Sequence, residues 1–428
     1  MLSSTALELY GQLEQRADLP AEAIVKQDVL RLGLGFDEQV FSRAPEYKPK
    51  DYFIFSFDMV PLSAMEGTLA QRAPEEIRLS GGPLNLLPTV ISVRVNPQSP
   101  YRVAWREDGP RLLLEGEDLG AVEFHRKPAF YGARLSSGKV ISEIVPVLEW
   151  GYLLYITAYR LCQYWGTKEE CQFCDINENY RQQRDAGRPY TAVKPIATVL
   201  EALEHVAEKD TTAQAYTLTG GSITSSLQGQ SEVDFYLRYI EAIEDRFPGR
   251  WISKAVVQAF KKEDCQRLKA AGLKIYHPNF EVWDARLFAA ICPGKDQHIG
   301  RDLWLRRVVE AAEVFGPSCV IPNFVAGVEM SQPHGFTVVD EAIASTRAGL
   351  EFFMGHGVVP RFTTWCPEPL SALGGQAPPP LEYYCKLLVA WREVFESHQL
   401  PVPPGYGPAG PGRALFSVSA FMDVIRPA

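Results

Sequence analysis

The sequence has little of several features that mark common protein classes. Only 8 of its 428 residues are cysteine, which is too few for a disulfide scaffold. The formal net charge is −9 and no basic stripe is present, which argues against an electrostatic grip on nucleic acid. No apolar run approaches the roughly 18 residues that a membrane-spanning helix needs. The chain is therefore expected to bind neither nucleic acid nor membrane.

What remains is the composition of a globular protein. Hydrophobic residues make up 46% of the chain and charged residues 22%, and the length allows two or three domains with a large core. Residues 1–20 include acidic side chains and no long apolar segment, so they are not expected to be a signal peptide. Sparse cysteines, three of them clustered, predict a reducing, cytoplasmic environment.

That cluster is the run Cys162-x8-Cys171-x2-Cys174, which follows the apolar segment 151–157. Three thiolates this close in sequence can converge on one soft metal centre. They cannot complete a tetrahedral zinc site, nor can they ligate every iron of a [4Fe–4S] cube. A cube held by three cysteines leaves one iron open to a substrate or cofactor. Two alternatives stay open: three ordinary cysteines, or a zinc-binding structural or binding protein whose site is completed by a histidine or by Cys366.

Residues 1–145 are predicted to form an N-terminal α+β module. Helical periodicity covers 5–16 and 21–34. Short β-rich runs follow, separated by Gly, Pro, Asn and Asp, as in an antiparallel sheet. These runs are 52–57, 89–95, 101–105 and 111–115.

From residue 146 the pattern becomes an alternation of strands and helices. The predicted strands are 151–157, 214–219, 251–258, 273–281, 318–327 and 358–364. The predicted helices are 192–209, 232–246, 263–271, 302–315 and 340–353. Six βα repeats predict an α/β fold in which 146–370 form a partial (β/α)6 TIM-like barrel. Chemistry in such folds gathers where the strands end, and the cysteine run follows the first strand directly.

A C-terminal extension, residues 371–428, is expected after the barrel. It contains a predicted helix, 381–399, between two Gly/Pro-rich stretches. Its last apolar run, 414–424, is predicted to be a strand or a tail docked against the core.

A three-cysteine run after the first strand, with Phe173 before the last cysteine, resembles the radical S-adenosylmethionine (radical SAM) superfamily. The usual spacing there is C-x3-C-x2-C, whereas the first gap here is eight residues. The resemblance spans roughly 146–366. It places Gly220, Gly221 and Ser222 at the family's Gly-Gly-Glu motif, Asn279 and Glu281 at its ribose contacts, and Gly327 and Glu329 at the end of its G-x-I-x-G-x-x-E pattern.

The resemblance implies an enzyme in which Cys162, Cys171 and Cys174 hold a [4Fe–4S] cluster and S-adenosylmethionine binds the open iron. Reductive cleavage then gives a 5′-deoxyadenosyl radical, which abstracts hydrogen from a small-molecule substrate. An electron donor such as flavodoxin or ferredoxin is implied as a partner. The unusual gap leaves open a variant that releases or transfers the 3-amino-3-carboxypropyl fragment. The N-terminal module has no D-x-H-x-x-G motif, which argues against the superfamily's cobalamin-dependent methylases.

The strand ends offer further ligand-binding candidates. Gly220-Gly221 leaves backbone groups uncovered for a ligand's amine, unless it is a plain turn. Lys254 and Gln258 share a face of the third strand, so Lys254 is expected to meet the methionine carboxylate or an internal ion pair.

Alternation on the fourth strand puts His277, Asn279 and Glu281 on one face. Three polar groups facing one side of a buried strand predict a ligand cavity or an internal network, and His277 alone is better explained as a satisfied core histidine. Cys366, just past the sixth strand, could reach the barrel mouth and is the candidate catalytic residue. The cysteines expected to pack as small apolar groups are Cys265, Cys319 and Cys385.

Overall fold

The computed structural model describes residues 3–50, 57–65, 67–68, 72–187 and 190–426. Its N-terminal part is a six-stranded sheet with helices packed against it. The helices are α1 (Ser4–Gln15), α2 (Ala21–Leu32), α3 (Glu38–Arg43) and α4 (Leu62–Met65). The strands are β1 (Gly35–Phe36), β2 (Glu76–Gly81), β3 (Leu86–Ser92), β4 (Tyr101–Arg106), β5 (Gly109–Leu114) and β6 (Glu117–Phe124).

The strand order of this sheet is β1-β4-β5-β6-β2-β3, and every pairing except β1–β4 is antiparallel. The sequence pattern missed β2 and β6, because the glycine and charged residues within them interrupt the apolar alternation. The strand predicted at 52–57 lies, apart from Phe57, outside the described residues.

The second part alternates strands and helices after α5 (Ile141–Ile144) and β7 (Val147–Leu148). Its parallel strands are β8 (Leu153–Tyr159), β9 (Ala215–Gly220), β10 (Ile252–Val257), β11 (Ile275–Pro278), β12 (Asn323–Ala326) and β13 (Arg361–Thr364). Its helices are α6 (Ile176–Asp185), α7 (Ile196–Lys209), α8 (Glu232–Arg246), α9 (Lys262–Ala270), α10 (Ala285–Ile291), α11 (Pro293–His298), α12 (Arg301–Phe315) and α13 (Val339–Gly355). The pattern had predicted neither α6 nor the short α10 and α11.

The six strands follow one another in chain order. Strands β8 to β11 are parallel neighbours in one sheet, and β12 pairs with β13 in parallel. Parallel bridges from Tyr276 to Val320 and from Glu281 to Phe324 connect β11 and the loop after it with the β12 segment. This order confirms the predicted α/β class and the parallel (β/α)6 arrangement of a partial barrel.

The C-terminal extension holds the other two parts together. After α14 (Leu381–Ser397), the tail packs as an extended segment: Ser92 N donates to the Ser417 carbonyl at 3.0 Å, and Thr364 N donates to the Val418 carbonyl at 3.1 Å. A buried ion pair of 2.9 Å joins Lys26 of α2 to Asp423. One hydrophobic cluster therefore runs through the sheet, the barrel and the tail. None of the described helices combines the length and the hydropathy needed to cross a bilayer.

Candidate active site

A cavity of about 210 Å³ lies where the barrel strands end, beside the cysteine run. Most of the residues singled out in the sequence line it. These are Cys162, Cys171, Phe173, Cys174, Gly220, Gly221, Ser222, Gln258, Asn279, Glu281 and Cys366. Three of the predicted cofactor-binding residues do not line it: Lys254, Gly327 and Glu329.

The long first gap of the cysteine run folds into a compact loop. Glu170 organises it, because its carboxylate accepts from Gly166 N at 3.0 Å and pairs with Arg181 of α6 at 2.8 Å. Asn177 of α6 accepts from Cys162 N at 3.0 Å and donates to the Tyr164 carbonyl at 2.8 Å. The extra residues are thus held against α6, which leaves the cysteines along the cavity.

The three thiols influence one another electrostatically. Burial, reinforced by the charge of Cys171, raises the pKa of Cys162 to about 12. Burial likewise raises the pKa of Cys174, with Asp175 and Cys171 adding to the shift. A hydrogen bond with the buried Cys292 lowers the pKa of Cys171. Buried thiolates repel one another, and a cationic metal centre bound between them would relieve that repulsion.

A fourth cysteine, Cys292, joins this group through its hydrogen bond with Cys171. Cys292 is fully buried and caps the start of α11. Gln172 N, inside the cysteine run, donates to the Ile291 carbonyl at 2.8 Å, which fixes the run to the end of α10, just before Cys292. Among the described residues, no group of three or more His, Cys, Asp or Glu side chains is already arranged as a metal site.

The glycine pair at the end of β9 is required by close packing. A Cβ on Gly221 would lie 1.9 Å from the Leu161 carbonyl oxygen and 2.5 Å from Cys162 Cα. A Cβ on Gly220 would lie 2.5 Å from the Tyr159 carbonyl oxygen. Any larger residue would therefore push the start of the cysteine run away from the strand end. The same two glycines line the cavity, so their backbone is open to a ligand there.

Glu232 is a cavity residue that the sequence reasoning did not identify. Its carboxylate accepts from Ile223 N at 2.6 Å, from Gln258 N at 2.9 Å and from Gln258 Nε2 at 2.7 Å, which ties the ends of β9 and β10 together. Burial raises its pKa to about 7. The available signal was its place as the first residue of α8 after the Ser231 cap, where a carboxylate is favoured.

The fourth strand departs from the predicted alternation. β11 ends at Pro278, and Glu281 has a φ of 75°, so the chain leaves strand geometry before the carboxylate. Asn279 and Glu281 still line the cavity, but the buried His277 does not; its Nδ1 lies 2.7 Å from the Ile321 carbonyl oxygen. Glu281 Oε1 pairs at 2.6 Å with Lys295, a cavity residue that was not predicted.

The three predicted cofactor-binding residues that lie outside the cavity have protein partners. Lys254 Nζ donates to the Gly405 carbonyl at 2.7 Å, inside the barrel. Glu329 accepts from Gly327 N at 2.9 Å and from Thr346 Oγ1 at 2.8 Å, and also from the Tyr383 hydroxyl. These groups connect strands to helices and to the C-terminal segment.

Cys366 lies where the N-terminal part reaches the cavity. Its Sγ donates to the Phe57 carbonyl at 3.4 Å, and Phe57 N donates to Glu368 Oε2 at 3.2 Å. All three residues line the cavity. Burial raises the pKa of the Cys366 thiol. The N-terminal part therefore contributes to the cavity wall.

No protein-family profile and no curated protein sequence matches the chain. Among solved structures, methylornithine synthase (PylB) is similar, with a TM-score of 0.43 and 13% identity over 62% of this chain and 71% of that chain. The FeFe-hydrogenase maturase HydG from Carboxydothermus hydrogenoformans gives a TM-score of 0.40 and 12% identity over 60% and 54% of the two chains.

Coproporphyrinogen III oxidase (HemN) from Escherichia coli, described as a radical SAM enzyme, gives a TM-score of 0.34 and 12% identity over 58% of this chain and 52% of that chain. The description of HemN names the superfamily that the cysteine run resembles.

Proposed function

We propose that this protein is a radical SAM enzyme that acts on a small-molecule substrate. The observation that supports this most directly is that Cys162, Cys171 and Cys174 share one cavity with the end of β9, at the end of a parallel barrel. The glycine pair there packs directly on the first cysteine, so the metal-binding run and the ligand-binding strand end form one unit.

The residues present fit a [4Fe–4S] cluster with S-adenosylmethionine bound to it. The three thiols would hold the cluster, and ligation requires their side chains to turn toward one point in the cavity. When bound, this pair of groups supplies a carbon-centred radical by reductive cleavage of the sulfonium. The chain's other residues would position the ligand and exclude water.

Each of these residues has a defined task. The Gly220-Gly221 backbone would accept hydrogen bonds from the amine of S-adenosylmethionine. Glu281 would accept hydrogen bonds from the ribose hydroxyls, while Lys295 pairs with the same carboxylate and holds it at the cavity. Cys366 is the candidate for direct participation on the substrate side, since its thiol faces the same cavity.

Anaerobic purification followed by iron and sulfide analysis tests the proposal. A brown protein with iron and sulfide, whose reduced electron-paramagnetic spectrum shifts when S-adenosylmethionine is added, is the expected result. A colourless protein loaded with zinc would instead favour a structural or binding role.

Product analysis on the reduced protein separates the two cleavage modes. Release of 5′-deoxyadenosine indicates the usual cleavage, whereas release of 5′-methylthioadenosine indicates transfer or loss of the 3-amino-3-carboxypropyl fragment. An electron donor such as flavodoxin or ferredoxin would replace the chemical reductant in the cell.

A further inference from the structure

A polar face on the last two barrel strands has no part in the function proposed above. Asn323 of β12 and Arg361 of β13 are register partners, so their side chains lie next to each other on one face of the sheet. Thr363, two residues beyond Arg361, shares that face. All three side chains line the cavity. We call Asn323, Arg361 and Thr363 the β12–β13 face.

Positive charge exceeds negative charge behind this face. The Nε of Arg361 is buried and makes no hydrogen bond to any described residue. Its guanidinium lies 6.0 Å from the Tyr406 ring centroid and 5.6 Å from that of Phe416, so aromatic rings flank it. The buried carboxylate of Glu149 interacts electrostatically with both Lys254 and Arg361, so one negative charge faces two positive charges in the barrel.

The neighbouring amide is arranged as a donor. Asn323 Oδ1 accepts from Thr363 Oγ1 at 3.0 Å, which fixes the orientation of the amide and leaves its N–H groups to donate. A guanidinium beside an amide donor matches the oxygens of a carboxylate or phosphate, because both groups accept parallel N–H hydrogen bonds. An uncharged group would leave the Arg361 charge uncompensated.

We propose that the β12–β13 face binds a carboxylate or phosphate group of the substrate, with Arg361 and Asn323 as the donors. This inference rests on the proposed function only in naming the ligand as substrate. S-adenosylmethionine is expected to extend from the Gly220-Gly221 backbone after β9 to Glu281 after β11, and β12 and β13 come next in the barrel order. The β12–β13 face is therefore available to a second molecule.

Three matched probes test the site by calorimetry on the purified protein: phenylacetate, phenyl phosphate and the neutral phenylacetamide. Their aromatic ring suits the cavity, which Phe57 and Trp365 also line. One or both anions should bind at least tenfold more tightly than phenylacetamide. The anion that binds more tightly identifies the group. Equal binding of all three, or no binding, would overturn the proposal.

Two variants assign the preference to this face. Arg361→Gln should abolish it, and the nearly isosteric Asn323→Asp should also abolish it, because a carboxylate would then repel the anion. Arg347→Gln is the matched control, since Arg347 pairs with Glu393 at 2.5 Å on the surface. If Arg361→Gln fails to fold, Asn323→Asp decides the outcome. Retention of the anion preference in the folded variants would overturn the proposal.

Affinity for S-adenosylmethionine, measured on the same samples, separates this inference from the proposed function. If S-adenosylmethionine binds the parent protein and the Arg361→Gln variant equally, the anion site belongs to a second ligand. If Arg361→Gln weakens S-adenosylmethionine binding tenfold, Arg361 holds the methionine carboxylate and the substrate assignment is wrong. If the parent protein holds no cluster, the proposed function fails, and the anion preference still stands or falls by calorimetry.

Discussion

Two buried lysines show how differently the two regions of the barrel are built. Lys295 lies at the cavity, where its Nζ is 2.6 Å from Glu281 Oε1 and 4.8 Å from the Trp304 ring centroid. Lys254 lies deeper in the barrel, where its Nζ is 2.7 Å from the Gly405 carbonyl oxygen and 4.5 Å from the Tyr406 ring centroid. One lysine faces the cavity with a carboxylate partner, and the other is sealed by the C-terminal segment.

The pKa values of the two lysines shift in opposite directions. Burial alone would lower the pKa of Lys295, but the charge of Glu281, helped by Cys171 and Cys292, outweighs burial and raises it. Burial prevails at Lys254 and lowers its pKa to about 8, although Glu149 acts against the shift. A buried lysine therefore identifies a ligand site only when its surroundings are known, because a carbonyl and an aromatic ring can also satisfy it.

The largest expected effect separates cysteines of the cavity from cysteines of the core. Alanine at Cys162, Cys171 or Cys174 should abolish cluster binding, since only two protein ligands would remain. Iron and sulfide content after anaerobic reconstitution measures this. Cys265→Ala and Cys385→Ala are the matched controls, because both residues are fully buried away from the cavity and should leave the iron content unchanged. Full iron content in Cys162→Ala would mean that the first ligand is misassigned.

The second prediction tests the pKa of Lys254 through the pH dependence of the free energy of unfolding. Because the pKa of Lys254 is lowered to about 8, the unfolded chain binds more protons than the folded one between about pH 8 and about pH 10.4. The free energy of unfolding should therefore rise with pH across this window, by about 3 kcal/mol from this group. The free energy of unfolding of the parent protein should therefore rise by that amount relative to that of Lys254→Met across the window, and urea unfolding of both proteins at several pH values measures the difference.

The comparison with Lys254→Met isolates this lysine, because other groups, such as Tyr406 in the unfolded chain, titrate in the same window in both proteins. Burial lowers the pKa of His277 well below its usual range, and burial raises the pKa of Tyr406. The carboxyl of Glu149 titrates well below this range in the unfolded chain. An equal pH dependence of the free energy of unfolding in the parent protein and in Lys254→Met would show that this lysine keeps an ordinary pKa in the fold.

The sequence predicted the barrel well because its helices and strands carry their own periodicity. The pattern at 232–246 coincides with α8, whose Ser231 cap accepts from the Asp234 backbone N–H. The local pattern could not predict which residues, about 150 positions away along the chain, contact the barrel interior. The Gly405 carbonyl, which accepts a hydrogen bond from Lys254, is an example. Long-range partners of this kind leave no local signal in one sequence.

The candidate site was predictable where glycine and cysteine carry the chemistry, and less so where charged side chains do. Lys295 and Glu232 reach the cavity from the first turns of helices, whereas the sequence pattern indicates functional residues only at strand ends. The family resemblance and the alternation both point to Glu281, yet the strand ends at Pro278 and Glu281 has a φ of 75°, so its carboxylate reaches the cavity without continued alternation. Backbone conformation at such a position depends on the neighbouring β12 segment, which the local sequence does not contain.

The third prediction compares adjacent residues on opposite sides of the chain. Glu281→Ala should weaken S-adenosylmethionine binding by about tenfold to a hundredfold, because one or two hydrogen bonds to a charged group are lost. Glu281→Gln keeps the shape of the side chain and removes its charge. Its affinity for S-adenosylmethionine should therefore lie between that of the parent protein and that of Glu281→Ala. Calorimetry on cluster-loaded protein measures the affinity, and the iron content should stay constant.

Phe280→Leu is the control for that measurement. Phe280 is fully buried and packs on Phe288, with ring centroids 5.0 Å apart, within an aromatic cluster that includes Phe353. Its replacement should lower the free energy of unfolding by about 1 to 2 kcal/mol and leave the affinity unchanged. Should Phe280→Leu lose affinity while Glu281→Ala keeps it, the ribose would lie against the aromatic side of the chain.

The smallest expected effect on binding concerns Cys366, which faces the cavity without being a predicted cluster ligand. Cys366→Ala should change iron content and S-adenosylmethionine affinity by less than about twofold, because only a hydrogen bond from a weak thiol donor to the Phe57 carbonyl is lost. Cleavage of S-adenosylmethionine should continue, whereas conversion of the substrate should fall if the thiol takes part in the chemistry. Cys366→Ser, which keeps a donor of similar size, separates a lost hydrogen bond from lost thiol chemistry. Loss of iron from both variants would place Cys366 among the metal ligands and favour a four-cysteine centre over a cluster with an open iron.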